Sequence, residues 1–364
     1  MNQQDFRKLV SGQPTGLGSS ILRLLLAIAA CGYSLVIRLR NLFYSKGWFK
    51  THRINAAVIS IGNITAGGTG KTPLTAWLCN EIAQNPKLKT KNCQCAVLTR
   101  GYKAGNGPLL DEPAILAESC PGARVVVNPD RLAGAAEAVA FGANVLIMDD
   151  GFQHRRLARD LDIVVIDATT PFGFGRMLPA GMLREPITAL KRADAVVITR
   201  SDQVAENQLT EIENEIRDIK ADIVIARSVH APVCAISPND DRISLEKLKG
   251  KKVFAFCGIG NPEAFLNTLK TLGADLLGSA IFDDHHHYTQ ACLDEISKQA
   301  QLSEAELILT TQKDWTKIAP LLKGEKHPLF AFLAIEIRFQ AGQDRLRGLI
   351  EHAITGRIHA KQMR

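Results

Sequence analysis

A glycine-rich stretch between an apolar run and an amphipathic one constrains this chain more than any other feature. It reads Val58-Ile59-Ser60-Ile61-Gly62-Asn63-Ile64-Thr65-Ala66-Gly67-Gly68-Thr69-Gly70-Lys71-Thr72-Pro73. The β-branched run at 58–61 has the composition of a buried strand, and the spacing that follows predicts a helix over 73–83. Strand, glycine loop, Lys-Thr and helix together form the context in which backbone amides cradle phosphate oxygens. Gly67, Gly68 and Gly70 let the chain turn sharply with no Cβ in the way. The helix N-terminus adds partial positive charge, Lys71 a full one, and the Thr72 hydroxyl is suited to a magnesium ion. Pro73 fits the first helical position, where a missing N–H costs nothing. Thr65 stands where such loops usually begin with glycine, so the pattern departs from the common one by one residue. The cradle predicted to meet a nucleoside triphosphate is Thr65, Ala66, Gly67, Gly68, Thr69, Gly70, Lys71 and Thr72.

At 364 residues the chain has room for two domains. A net charge of +7 suits an anionic partner (phosphate, nucleic acid or an acidic membrane) without choosing among them. The eight cysteines show neither zinc spacing nor a disulfide framework, which favours reduced thiols in the cytosol. Apolar runs at 58–61, 96–99, 125–127, 145–148 and 163–166 alternate with helical stretches. That rhythm predicts an α/β fold, a doubly wound, mostly parallel sheet of the P-loop NTPase kind. A Gly/Pro-rich passage at 171–186 interrupts it, and the runs resume at 195–199, 223–226, 253–257, 276–282, 307–311 and 330–335. The expected division is therefore an N-terminal segment 1–45, a nucleotide-binding domain 46–169 and a second α/β domain 170–341, with a helical tail 342–364 returning to the first domain.

Residues 24–37 are uncharged and bracketed by Arg23, Arg38, Arg40, Lys46 and Lys50. As a helix, 14 residues span about 21 Å, short of the roughly 30 Å hydrocarbon core. A helix lying in or dipping into an anionic leaflet fits this pattern. Two rivals stand beside it: a plain core helix, and a secretory signal ending at Cys31, which fits less well because only seven apolar residues separate Arg23 from that cysteine.

The run 145–148 ends in Asp149-Asp150-Gly151, a strand-end pair of carboxylates suited to magnesium. Gln153, His154, Arg155 and Arg156 follow at once, polar and basic groups suited to a sugar or a phosphate. Asp111-Glu112-Pro113 reads as an acidic loop, and Asp283-Asp284-His285-His286-His287 as either a solvated loop or a base with its orienting partner. In the 171–186 passage, Arg184 offers a planar fork for phosphate or hydroxyls. Thr199-Arg200-Ser201-Asp202 superficially resembles the base-reading motif of GTPases, but two of its three defining residues differ, which discards that reading.

Taken together, the glycine loop, Thr99-Arg100-Gly101-Tyr102, Asp111-Glu112-Pro113, Asp149-Asp150-Gly151-Phe152-Gln153-His154-Arg155, Leu178-Pro179-Ala180-Gly181 with Leu183-Arg184-Glu185-Pro186, and Asp284-His285-His286 resemble the tetraacyldisaccharide 4′-kinase (lipid A 4′-kinase) family. The resemblance implies an enzyme at the cytoplasmic face of the inner membrane, using ATP and Mg²⁺ to phosphorylate an acylated disaccharide lipid, with no nucleic acid and no inferable protein partner. It implies Asp111 and His285 as the base pair and Lys71 on the phosphates. Thr72, Asp149 and Asp150 would stand at the metal, and Gln153, His154, Arg184 and Glu185 towards substrate. Two departures stand out: Leu110 where the family usually has glycine, and Asp283 where it usually has proline. A switch or partitioning ATPase is the main rival, yet such loops often carry lysine at the position of Ala66. A non-catalytic nucleotide sensor at a membrane is the other; it would need no base.

Overall fold

Strands buried on both faces read as nearly continuous apolar runs, and β1 (Ala57–Gly62), with all six residues buried and Ser60 its one polar side chain, fits that pattern. The computed structural model describes residues 3–13, 16–89, 93–101, 111–284, 286–322 and 328–362. Helices α1 (Gln3–Val10) and α2 (Leu17–Ser45) precede β1. After it come α3 (Lys71–Gln84), α4 (Pro86–Lys89), β2 (Cys95–Thr99), α5 (Asp111–Ser119), β3 (Ala123–Val127) and α6 (Arg131–Ala140). Next are β4 (Val145–Asp149), β5 (Leu161–Asp167), β6 (Ala195–Thr199), α7 (Glu206–Ile219) and β7 (Val224–Ile236). The remainder is β8 (Arg242–Ser244), β9 (Lys252–Cys257), α8 (Pro262–Thr271), β10 (Asp275–Ile281), α9 (Gln290–Leu302), β11 (Leu307–Thr311), α10 (Gln312–Ile318), β12 (Leu329–Ala341) and α11 (Gln343–Gln362).

The chain divides into two compact units, one of 3–229 with 338–364 and one of 230–337. In the first, the strand order is β7-β6-β5-β1-β4-β2-β3, every adjacent pair parallel. The order reverses around β1, and the carboxyl ends of β1, β4, β5 and β6 meet at that switch point, where an open α/β sheet binds its ligands. One face is covered by α7, whose Leu209, Ile212 and Ile216 pack on Val164, Ile166, Val196 and Ile198. On the same face, Ala135 and Ala138 of α6 pack with Val58, Leu98, Val126 and Leu146. The tail helix α11 packs on β1 and β5. In the second unit the order is β10-β9-β11-β12, again parallel. Its faces carry α8 through Phe265 and Leu269, and α9 through Leu293 and Ile296.

The expected boundary near residue 170 is corrected by this division. β5, β6 and the start of β7 continue the ladder begun by β1, so 170–229 belong to the first unit. The chain passes into the second unit within β7 and returns within β12. The Gly/Pro-rich passage is not a linker: the amide of Ala66 donates to the Met182 carbonyl and that of Arg184 to the Ile64 carbonyl, each at 2.7 Å.

Two local readings also shift. α3 begins at Lys71 rather than at position 73, because Gly70 adopts the left-handed conformation (φ 91°) and caps the helix. Pro73 is thus the third helical residue, still within the first turn, whose amides have no intrahelical acceptor. The N-terminal helix is 29 residues, not 14, so it runs for about 43 Å and includes Arg23 and Arg38.

Candidate active site

The turn after β1 is built around a close approach. A Cβ on Gly62 would stand 2.5 Å from the Phe152 Cβ and 2.6 Å from the Phe152 nitrogen, so only glycine lets the 150–153 turn seat against the end of β1. The Gly151 amide donates to the Ile61 carbonyl at 3.0 Å, and the Gln153 side chain donates to the Asn63 carbonyl at 2.8 Å. This lays the acidic strand end beside the glycine loop.

Asp150, itself left-handed (φ 52°), receives both cations that the sequence singled out. Lys71 Nζ stands 3.4 Å from its carboxylate, and Arg184 Nη1 donates to both carboxylate oxygens at 3.0 Å. Burial alone would pull this carboxyl up, but the Lys71 and Arg184 charges outweigh it and hold it at about 2. The result is a charged carboxylate between two cations at the amino end of a helix. Asp149 is buried; it accepts from the Thr75 hydroxyl at 3.2 Å, and its main-chain carbonyl accepts from Arg131 at 2.7 Å. Thr72 lies one helical turn before Thr75, in the first turn of α3.

These groups fit a magnesium ion: a hydroxyl and two carboxylates are the hard oxygen donors it takes, with the rest supplied by water and phosphate. Of the two carboxylates, Asp149 is the buried one on the Thr75 side of α3, and Asp150 is the one held between two cations.

His154 is pushed down to about 4 by burial, and then by the charges of Arg131, Arg156 and Arg159, so its imidazole is neutral at pH 7. Glu185 corrects the sequence reading. Its carboxylate is fully buried, accepts from Arg192 at 3.1 Å and from Asn41 of α2 at 2.7 Å, and has no surface to offer a substrate. With Tyr33 donating to the Arg184 carbonyl at 3.0 Å, it fastens the N-terminal helix to the 171–186 passage. Beside that fastening runs a groove of about 450 Å³, walled by Ala27, Ala30, Leu35 and Met177 and carrying Arg38 and Arg176.

Asp111 is the first residue of α5, and its side chain lies outside the described residues; so does the whole of His285. Their neighbours are described. Asp284 accepts from Lys313 at 2.8 Å, and His286 stacks on Phe282 with ring centroids 4.5 Å apart. Sequence reasoning missed Thr75, Arg131 and Arg7. The first two have no motif of their own, though Thr75 could have been found as the residue one turn beyond Thr72. Arg7 of α1 brings its guanidinium to 3.2 Å from where a Cβ on Gly67 would stand, a contact no local pattern signals.

Against known proteins, the family model described as tetraacyldisaccharide-1-P 4′-kinase matches residues 22–355. A tetraacyldisaccharide 4′-kinase of Syntrophus aciditrophicus (strain SB) is 40% identical over 341 residues, covering 86% of this chain and 89% of that protein. One from Anaeromyxobacter sp. (strain Fw109-5) is 38% identical over 334 residues, covering 87% of each. A crystal structure described as the "apo" form of LpxK from Aquifex aeolicus in complex with ATP superposes with a TM-score of 0.67 at 28% identity, over 92% of this chain and 99% of that one. With the glycine loop, the acidic strand end and Arg184 assembled at one sheet end and the family model spanning nearly the whole chain, this protein belongs to the tetraacyldisaccharide-1-P 4′-kinase family.

Proposed function

We propose that this protein transfers the γ-phosphoryl group of ATP to the 4′-hydroxyl of a tetraacylated glucosamine disaccharide 1-phosphate at the cytoplasmic face of an inner membrane. The observation that carries the reading is the Lys71–Asp150–Arg184 arrangement at the start of α3. Phosphoryl transfer asks a protein mainly for positioning and charge neutralisation, and here two cations and a helix N-terminus converge within one hydrogen-bonded group. Lys71 holds the β- and γ-phosphate oxygens, and the amides of Gly70 and the first residues of α3 hold the rest. Thr72 and Asp149, with Asp150 beside them, hold Mg²⁺, which when bound supplies charge for the migrating phosphoryl group. Arg184, released in part from Asp150 once phosphate arrives, clamps the transferring group. Gln153 and neutral His154 face the sugar as hydrogen-bond partners. The base is the pair that the resemblance gives: Asp111 takes the hydroxyl proton, with His285 as its partner, a contribution of about 10²- to 10⁴-fold.

The lipid reading is supported by α2, which is long and apolar enough to cross a membrane and keeps Leu24, Leu25 and Ile28 more than half exposed. Its groove, apolar along the walls with two arginines, suits acyl chains beside an anionic headgroup. Incubation with γ-labelled ATP and the lipid disaccharide in mixed micelles tests the proposal. Label should appear on the 4′ position, and Asp111→Ala should cut turnover by at least about 10²-fold while ATP still binds. Label released only as free phosphate would remove the kinase reading, and unchanged turnover in Asp111→Ala would remove Asp111 as the base.

A further inference from the structure

The Thr199-Arg200 pair at the end of β6, which reads no base, is aimed at the glycine loop instead. The Thr199 side chain is completely buried, and its hydroxyl donates to the Thr69 carbonyl at 2.8 Å. Arg200 follows in the left-handed conformation (φ 54°, ψ 35°), unfavourable for a residue with a long side chain, and its guanidinium is buried. One of its nitrogens pairs with Asp167 at the end of β5, and the other donates to the Gly68 carbonyl at 3.1 Å. Asp167 is itself oriented, accepting from both the amide and the hydroxyl of Thr169. Two successive loop carbonyls are therefore gripped from behind by the last residue of β6 and the one that follows it.

In a planar trans peptide the carbonyl and the next amide point to opposite sides. Holding the Thr69 carbonyl towards β6 fixes the Gly70 N–H on the other side, whereas the Thr69 amide is already used by the Gly67 carbonyl at 3.1 Å. Gly70, with no side chain and φ 91°, has little of its own to keep that amide in place. The geometry points to Thr199 and Arg200 as positioning residues of the phosphate cradle: they lock the loop peptides so that the Gly70 amide stays directed at the triphosphate. This rests on the reading of 65–72 as a nucleotide cradle. The strained backbone of Arg200 then has a use, since that turn is what brings the guanidinium back over the loop.

Titration of MgATP into the purified full-length protein, beside steady-state KM values for ATP and for the lipid, tests the inference. Thr199→Val removes the hydroxyl and keeps the branched shape. It should weaken ATP about tenfold, the effect of losing one buried hydrogen bond, with the lipid KM unmoved. Thr199→Ser keeps the hydroxyl and should stay within about twofold of wild type. Arg200→Lys keeps the ion pair with Asp167 but not the fork, and should raise the ATP KM more than it lowers kcat. Thr199→Val binding ATP as wild type does overturns the inference. So does equal weakening in Thr199→Val and Thr199→Ser, which would make shape rather than the hydroxyl responsible. Failure of the wild-type protein to bind MgATP overturns the cradle reading itself, and the brace with it.

Discussion

Asp150 concentrates the site's electrostatics in one side chain. Between Lys71 and Arg184 its carboxyl is held at about 2, below the ordinary value of 3.8. A depressed carboxyl contributes stability above its ordinary value and loses it as pH falls through the folded one, here from about 4 down to about 2. Asp150 is therefore charged throughout the working range, and the acid limb of the pH–rate profile above pH 5 belongs to another group. Asp150→Asn should leave that limb in place while lowering kcat, by about 10²-fold if the two cations are misdirected. A profile whose acid limb moves with this substitution would contradict the assignment. His154 has the other perturbed value, about 4 against 6.5. The unfolded chain takes up a proton below pH 6.5 and the folded one only below about 4, so acidification across that window favours unfolding. Melting temperature should fall as pH drops from about 7 to about 4. His154→Gln should flatten the fall; an unchanged slope would exclude His154 as its source.

At the scale of the element, the close seating of β1 against the 150–153 turn predicts a large effect from one methyl group. Gly62→Ala places a Cβ within 2.6 Å of the Phe152 backbone nitrogen, and should destabilise the protein by about 2–4 kcal/mol, read by chemical denaturation. Glu185→Ala leaves Arg192 without its buried carboxylate and frees Asn41, so about 3 kcal/mol should be lost and α2 should become open to proteolysis. Unchanged protection of α2 would show that its other contacts suffice. The elements also show what the sequence made readable. The nearly continuous apolar runs at 58–61, 145–148, 163–166 and 195–199 are plain because a central parallel strand is buried on both faces. β7 and β12 were seen only in their apolar starts; Arg227, His230, Arg338 and Gln340 break the pattern where the strands go on. Gly70 marks the start of α3 only once its left-handed backbone is seen.

The whole molecule shows why the boundary was misplaced. Glycine and proline usually punctuate domains, but here they shape the 171–186 passage that hydrogen-bonds the phosphate loop, so the residues that interrupt the strand rhythm belong to the site. The lysine, the acidic pair and Arg184 could be read from motifs. Glu185, adjacent to Arg184, could not be told apart from it, because only folding shows that Asn41, 144 residues away in sequence, meets its carboxylate. The outward side of α2 gives a further expectation. Replacing Leu24, Leu25 and Ile28 with serine should reduce flotation with anionic vesicles by about tenfold or more while MgATP affinity is kept. Undiminished flotation would move the anchoring elsewhere.

The central claim is that Lys71, at the amino end of α3, grips a triphosphate. Calorimetric titration of MgATP into the wild-type protein and into Lys71→Ala tests it most directly. Saturable binding by the wild type, weakened by about 10²-fold in the variant whose melting temperature is unchanged, is the expected result. Equal affinity in the two proteins, or none in the wild type, would contradict the account.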